Sequence, residues 1–411
     1  MRVFCLDIRR SPFRKIFTGF ENYSTLDLGV SLVESFFVRN NTLLPNLVLA
    51  SSVLLDPEIP NLAREIVIRS SLPKDIPATF VSNYCISSLV SSATAFGLIR
   101  SGNSSKVLCV GVEVMSTPKL FISQKGSQKL IRFMMSKTLT HKFKSILKLR
   151  PSDLYPVVPS PKEPSTGLTM GQSCELMNSF WNISRQEQDE YAYDSHMKAI
   201  SALKNNMFET QIVTTFGVSS DNIPRPDTSM EKLSTLSAVF SSDGSITAGN
   251  SSSLTDGGSI ALFVDESELS KAETEPLCEI VDYVFSAVDP SDGLLMAPVV
   301  AIDRLLKRNK LAPNQVDFYE IHEAFACQVL INLKCLSMGW SKYNVEKTEI
   351  PRDRVNVFGG SLAYGHPFAA TGLRLILHAA KALNTYGGTY AIIASCAAGG
   401  GGCAMLVKRP M

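Results

Sequence analysis

The chain has 411 residues, 45% of them hydrophobic and 19% charged, with a formal net charge of +2. That length exceeds one minimal core and implies two or three packed units in a globular protein with a large buried fraction. The balanced charge and the lack of a long basic run exclude a nucleic-acid binder. Nine cysteines, scattered and without C-x-x-C spacing, point to free thiols in a reducing compartment rather than a disulfide framework or a zinc site.

In chain order, Val3 to Ile8 reads as a first strand, so the early basic residues Arg2, Arg9, Arg10, Arg14 and Lys15 are not read as a removable leader. A helix over Leu26 to Val38, a strand over Leu47 to Val53, a helix over Ile59 to Ser70 and a strand over Ala78 to Ser82 follow. After Asn83-Tyr84-Cys85, the apolar residues Ile86, Leu89, Val90, Ala93, Phe96 and Ile99 hold helical spacing up to Gly102. Lys106 to Val114 is a buried-type strand. Strands alternating with helices predict an α/β fold with a largely parallel sheet covered on both faces.

From about 117 to 245 that rhythm fades. Prolines cluster at Pro151, Pro156, Pro159, Pro161 and Pro164, and the stretch reads as a large insertion with helices near 185–205. Within it, His141 to Arg150 has a basic face interrupted by Phe143, Ile146, Leu147 and Leu149. A solvated amphipathic helix accounts for that pattern, and contact with a phosphate-bearing ligand, a partner or a membrane surface is the alternative. Ser259 to Val264 returns as a strand, and Asp265 to Glu275 reads as a linker. The charge-free stretches 83–99 and 389–407 are rich in serine and in glycine, so neither reads as a membrane span.

A second alternating unit then runs through a strand at Leu277 to Val288, a helix at Pro298 to Asn309, a strand at Val316 to Ile321 and a helix at Ala324 to Leu336. Extended residues Val355 to Phe358 lead into Gly359-Gly360-Ser361-Leu362-Ala363-Tyr364-Gly365-His366-Pro367, with Pro367 expected at the first position of a helix that Gly387-Gly388 stops. Tyr390 to Ser395 is the next strand. Cys85 precedes a helix and then a strand at Lys106, 21 residues on; His366 precedes a helix and then a strand at Thr389, 23 residues on. Related halves packed about a pseudo-twofold axis would bring these two corners together.

Four segments carry chemistry. A cysteine at a helix start feels the positive end of the helix dipole, so Cys85 is expected to have a stabilised thiolate, with His366 to take its proton. His322, in Glu320-Ile321-His322-Glu323-Ala324-Phe325-Ala326, sits at another strand-to-helix corner. The zinc-protease helix it suggests needs a second histidine where Ala326 stands, so that reading fails. A neutral imidazole there can hold a water, polarise a carbonyl or make a structural hydrogen bond. Ser395-Cys396-Ala397-Ala398-Gly399-Gly400-Gly401-Gly402 is a strand end running into a glycine turn whose backbone N–H groups can receive an oxyanion, with Cys396 a second proton carrier.

With Cys85-Ile86-Ser87, His322-Glu323-Ala324-Phe325, Gly365-His366-Pro367 and Cys396-Ala397-Ala398-Gly399-Gly400 in this order, the chain resembles the thiolases. Arg10-Ser11-Pro12-Phe13, Gly111 to Ser116, Met170-Gly171 with Glu175, Ile183-Ser184-Arg185 and Thr247-Ala248-Gly249-Asn250 match further family blocks, so the resemblance covers nearly the whole chain. His322, where most thiolases carry asparagine, points to the β-subunit type of fatty-acid-oxidation trifunctional complexes, bacterial in character. The resemblance implies a five-layered α-β-α-β-α fold of two similar halves: 1–117 completed by 246–268, then 269–411, with 118–245 a loop domain over an acyl-CoA site.

It also implies a 3-ketoacyl-CoA thiolase of β-oxidation. Cys85 would be the nucleophile and His366 its base. Cys396 would be the acid/base, His322 would fix an oxyanion-hole water, and the backbone N–H groups of Cys85 and Ala398 would form a second hole. Met170 and Ser252 would lie along the CoA pantetheine. CoA is a substrate here, and neither cofactor nor metal is implied. The expected partners are acyl-CoA and CoA, a second copy in a homodimer or larger assembly, and a hydratase/dehydrogenase α-subunit; the expected compartment is the bacterial cytoplasm, with the mitochondrion as alternative. Two other readings stay open: a biosynthetic condensing enzyme, against which Cys396 argues, and a non-catalytic acyl-CoA binder, which has no need of Cys85. Ser88, where glycine or alanine is usual, and Gln172-Ser173-Cys174 depart from the family pattern without removing a catalytic group.

Overall fold

The computed structural model describes residues 1–38, 43–157 and 160–410; Pro159 of the proline cluster lies outside them. Nine strands carry the architecture: β1 (Val3–Arg10), β2 (Leu47–Ser51), β3 (Ala78–Val81), β4 (Lys106–Glu113), β5 (Thr255–Asp265), β6 (Cys278–Ala287), β7 (Phe318–Ile321), β8 (Tyr390–Ala397) and β9 (Gly401–Lys408). They are hydrogen-bonded in the order β7-β8-β9-β6-β1-β5-β4-β2-β3. The two halves join where β1 meets β6 over only three residue pairs, Val3 to Cys5 against Cys278 to Ile280.

The expectation of a largely parallel sheet is wrong. Only β7–β8, β4–β2 and β2–β3 run parallel. The physical reason lies in the connections. β8 and β9 form a hairpin through the glycine turn, which needs no crossover helix. β5, returning from the long insertion, enters antiparallel between β1 and β4.

Side-chain alternation along these strands feeds three separate cores. In β5, Ala261 and Phe263 face one core while Ile260, Leu262 and Val264 face another. In β9, Cys403, Met405 and Val407 join that same first core while Ala404 and Leu406 face a third. The shared core holds α3 (Ser87–Arg100) and the helix Thr371–Tyr386. The outer cores hold α1 (Thr25–Phe37) with α2 (Leu62–Arg69) on one side. On the other side they hold the helices Ala297–Asn309 and Ala326–Met338. Three apolar cores between two sheets and three helical tiers make five layers. In β1 a bulge between Cys5 and Asp7 resets the alternation, so that Val3, Cys5 and then Ile8 all face the shared core.

Between β4 and β5 the chain builds α4 (Gln124–Met135), α5 (Leu139–Leu147), α6 (Met170–Trp181) and α7 (Arg185–Lys204). Ser184 and Glu187 form the capping box that starts α7. Thereafter α8 denotes Ala297–Asn309, α9 Ala326–Met338 and α10 Thr371–Tyr386. α5 has no buried residue: Leu139, Phe143, Ile146 and Leu147 are all exposed. The stretch Val355 to Phe358 is not a strand, because Asn356 takes a left-handed φ of 48° and only Val355 bridges, to Tyr319.

The insertion is fastened to the first half by a buried ion pair. Arg10 donates twice to Asp221, at 2.7 Å each, and Phe13 N–H donates to the same carboxylate at 2.7 Å. Both side chains are sealed from solvent, at 0% and 1% exposure. Removing one partner of such a pair strands the other charge. Asp221→Ala is therefore expected to lower the unfolding free energy by about 3–5 kcal/mol, read from the shift in denaturant midpoint; a shift below about 1 kcal/mol would show that water replaces the carboxylate at no cost.

Candidate active site

Cys85 lies two residues before α3, in a turn closed by Ser87. The Ser87 hydroxyl donates to Tyr84 O at 2.6 Å and accepts Asn83 N–H at 2.8 Å. This bonding explains the serine two places after the cysteine, and it holds Tyr84 at a left-handed φ of 46°. Ser88, the departure noted in the sequence, accepts Leu373 N–H at 3.3 Å and so ties the start of α3 to the start of α10.

His366 does not open α10 directly, and Pro367 is not its first residue. A one-turn helix, Ser361–Tyr364, precedes it, and a 3-10 turn, Phe368–Ala370, separates Pro367 from α10. Gly365 adopts φ 85°, and a Cβ there would lie 2.2 Å from Thr255 Oγ1. That close approach lets Thr255 accept His366 N–H at 3.0 Å. The His366 ring is fixed by its Nδ1, 2.6 Å from Thr371 Oγ1. His322 leaves the end of β7 with its N–H on Ala394 O of β8 at 2.8 Å and its Nδ1 2.8 Å from Ser361 Oγ.

These corners meet. Cys85 Sγ and one ring nitrogen of each of His322 and His366 all lie within 4.8 Å of one another, the group among the described residues whose donor atoms converge as metal ligands would. The imidazole centroids lie 4.1 Å apart, with the ring planes tilted by 41°. The Nε2 atoms of both are buried and make no hydrogen bond to the protein. Cys396, at the end of β8, is buried and lies within the electrostatic reach of Cys85. Ala398 begins the turn two residues beyond.

Ser252 and Met170 sit further out. Ser252 N–H donates to Ala324 O at 3.0 Å, and Ser253 O accepts His366 N–H at 3.3 Å, so this loop threads between the two histidine segments. Met170 is the first residue of α6, half-buried. Its neighbour Gly171 packs on the Phe240 ring, whose edge meets Phe325 at 5.8 Å.

Packing works against the stabilised thiolate expected of Cys85, which is partly buried. Burial pushes the thiol up to about 12; its backbone N–H pulls the other way with less effect, and the buried Glu113 carboxylate adds to the rise. Burial also drives His366 down to about 3, assisted by the Arg374 charge, and holds His322 well below its usual range, assisted by His366 and Arg374. Cys396 is raised by burial and by Cys85. Each of these shifts favours the neutral form, two thiols and two imidazoles. A desolvated site opposes charge until a substrate supplies charge to offset it.

Several residues that build the site went unread in the sequence. Glu323 is 1% exposed and fully engaged. Its carboxylate accepts from Tyr191 OH (3.1 Å), Asn356 Nδ2 (2.6 Å), Ser195 Oγ (2.8 Å) and Leu362 N–H (3.0 Å). Glu163 accepts Gly399 N–H at 3.0 Å. Arg374, fully buried on α10, donates to Ser361 Oγ at 2.5 Å. A signal for Arg374 was present: a lone charge inside the apolar run Leu373, Leu375, Ile376 and Leu377 belongs to a site, since an unpaired buried charge is otherwise prohibitive.

Residues 3–267 match the family described as thiolase, N-terminal domain, and residues 274–409 the thiolase, C-terminal domain. A 3-ketoacyl-CoA thiolase of Pseudoalteromonas atlantica is 35% identical over 97% of this chain and 95% of its own length. The mitochondrial trifunctional enzyme subunit beta of Rattus norvegicus is 34% identical over 97% of this chain and 86% of its own. The crystal structure of human mitochondrial 3-ketoacyl-CoA thiolase in complex with CoA superposes with a TM-score of 0.83 at 26% identity, covering 100% of this chain and 98% of that one.

A neutral resting thiol has a kinetic signature. The rate of Cys85 alkylation by iodoacetamide is expected to climb steadily from about pH 6 to about pH 9 with no plateau. A plateau below about pH 7 would mean a preformed thiolate–imidazolium pair.

Proposed function

This chain belongs to the thiolase family, and on that premise we propose how its four-residue cluster works. The chain is a 3-ketoacyl-CoA thiolase, an acyltransferase that cleaves 3-oxoacyl-CoA with CoA to acetyl-CoA and a shortened acyl-CoA. The observation that supports the residue roles is the convergence of Cys85, His322 and His366 within 4.8 Å, with Cys396 in the field of Cys85.

Cys85 Sγ attacks the 3-keto carbon as His366 accepts its proton. The C2–C3 bond breaks, and its electron pair leaves as the enolate of acetyl-CoA, which Cys396 protonates. Cys85 is now acylated. Cys396, short of its proton, takes one from the incoming CoA thiol, whose sulfur displaces the acyl group; His366 returns the first proton to Cys85. His322, holding a water, faces the enolate oxygen of the departing acetyl-CoA, and the N–H groups of Cys85 and Ala398 face the oxygen on the carbon bonded to Cys85 Sγ, which becomes the acyl-Cys85 thioester oxygen. Fixed donors at these two oxygens supply the largest part of the stabilisation that C–C cleavage requires. Met170 and Ser252 line the approach of CoA.

With 3-oxopalmitoyl-CoA and no CoA, mass spectrometry is expected to find a tetradecanoyl group on the peptide carrying Cys85. Cys85→Ala is expected to lose the adduct and at least about a thousandfold in kcat. Equal turnover by wild type and variant would establish a protein that binds acyl-CoA without using this sulfur.

The nine free cysteines support a reducing compartment such as the bacterial cytoplasm. Among the described residues, no helix is long and apolar enough to cross a membrane. The partly exposed edge strand β3, running into exposed Ser82, Asn83 and Tyr84 beside Cys85, supports a second copy covering this corner. The α4–α5 hairpin supports attachment to an anionic lipid surface. Met134, Met135, Leu139, Phe143 and Leu147 are 65–85% exposed, and Lys137, Lys142, Lys144, Lys148 and Arg150 lie among them. Changing Lys142, Lys144 and Lys148 to Glu should weaken binding to phosphatidylglycerol vesicles at least about tenfold. Unchanged vesicle binding, with loss of a co-purifying hydratase/dehydrogenase subunit, would assign the hairpin to that partner.

A further inference from the structure

The two neighbouring imidazoles are held by their inner nitrogens in opposite senses. Thr371 Oγ1, 2.6 Å from His366 Nδ1, is also 3.1 Å from Pro367 O, one turn back. Pro367 O also accepts Ala370 N–H at 2.9 Å and Thr371 N–H at 3.1 Å; the threonine hydroxyl proton is assigned to it as the back-bonding common for a helical threonine, which leaves the hydroxyl oxygen to accept from His366 Nδ1–H. His366 Nε2 then carries the lone pair. Ser361 Oγ, 2.8 Å from His322 Nδ1, receives a hydrogen bond from Arg374 Nη2 at 2.5 Å. A guanidinium only donates, so the serine oxygen is filled from that side, and among the described residues the acceptor within reach of its own proton is His322 Nδ1. His322 Nε2 then carries the hydrogen.

We propose that Arg374 and Ser361 are positioning residues that hold His322 as the Nε2–H tautomer, while Thr371 holds His366 as the Nδ1–H tautomer. The proposal deepens the thiolase reading and rests on it for its purpose. With both rings neutral, tautomer alone decides what each presents to Cys85. One bare Nε2 can take the thiol proton, and one Nε2–H can donate to an oxygen, directly or through a water. Two bare nitrogens would set a lone pair against the developing oxyanion; two N–H groups would leave the thiol without a base. Arg374 can serve this way because its charge is not free to wander. It is fully buried on α10, in the field of Glu320 and Glu323, with one nitrogen on Ser361 and its Nε and Nη1 making no hydrogen bond to the protein.

Tautomers are read directly from long-range 15N–1H spectra of protein labelled at its five histidines, assigned with His322→Gln and His366→Gln. Wild type at neutral pH is expected to show His322 protonated at Nε2 and His366 at Nδ1. In Ser361→Ala, His322 is expected to shift toward the other tautomer while His366 stays put, and kcat for thiolysis to fall about 10–100-fold with KM held within about twofold. The same tautomer on both rings of wild type overturns the assignment, as does a Ser361→Ala kcat loss with the His322 signals unmoved. Wild type that shows the two tautomers but cleaves no 3-oxoacyl-CoA supports the assignment and overturns the reaction it is said to serve.

Discussion

One carboxylate holds the site together. Glu323 lies one residue past His322 and gathers four donors from three separate parts of the chain: α7, the 356 corner and the one-turn helix before His366. A buried carboxylate is costly unless its lone pairs are filled, and filling them here forces those parts into one place. The loop bearing His366 is thereby laid against the strand end bearing His322. A Cβ on Gly360 would strike this carboxylate at 2.3 Å, so even the missing side chain is part of the fit.

The five layers serve the same end. α3 and α10 occupy the shared core side by side, with Gly372 of one against Leu89 of the other. Because both helices start at the same edge of that layer, the residues just ahead of them, Cys85 and His366, are neighbours despite lying in different halves of the sequence. Cys396 comes from a strand end in the second half and reaches the same spot from another direction. Rigid sheets and helices fix the reacting groups; only short, heavily hydrogen-bonded turns separate each group from its element.

Much of this was legible in the residues, and the failures have physical causes. Element positions from β1 to β8 follow periodicity and glycine punctuation to within a few residues, since amphipathic patterning is a local property. Strand direction is not local: nothing in Thr255–Asp265 announces that it enters antiparallel. Val355 to Phe358 has strand-forming side chains, yet Asn356 spends its amide on Ile321 O and Glu323, and the backbone turns. The Cys85 thiolate was inferred from one favourable term, the helix start, without the larger cost of desolvation that only packing reveals. Ser361 and Thr371 are ordinary residues by pattern, and their importance rests on distances.

The hydrogen bond from Gly399 N–H to Glu163 couples two things that a linear reading keeps apart. Glu163 belongs to the insertion, while Gly399 follows Ala398 in the turn proposed to receive the oxyanion. A sideways displacement of the 160–169 loop would strip an amide of its acceptor within one peptide unit of the Ala398 N–H. On the proposed roles, the position of the loop and the aim of the turn are a single mechanical variable.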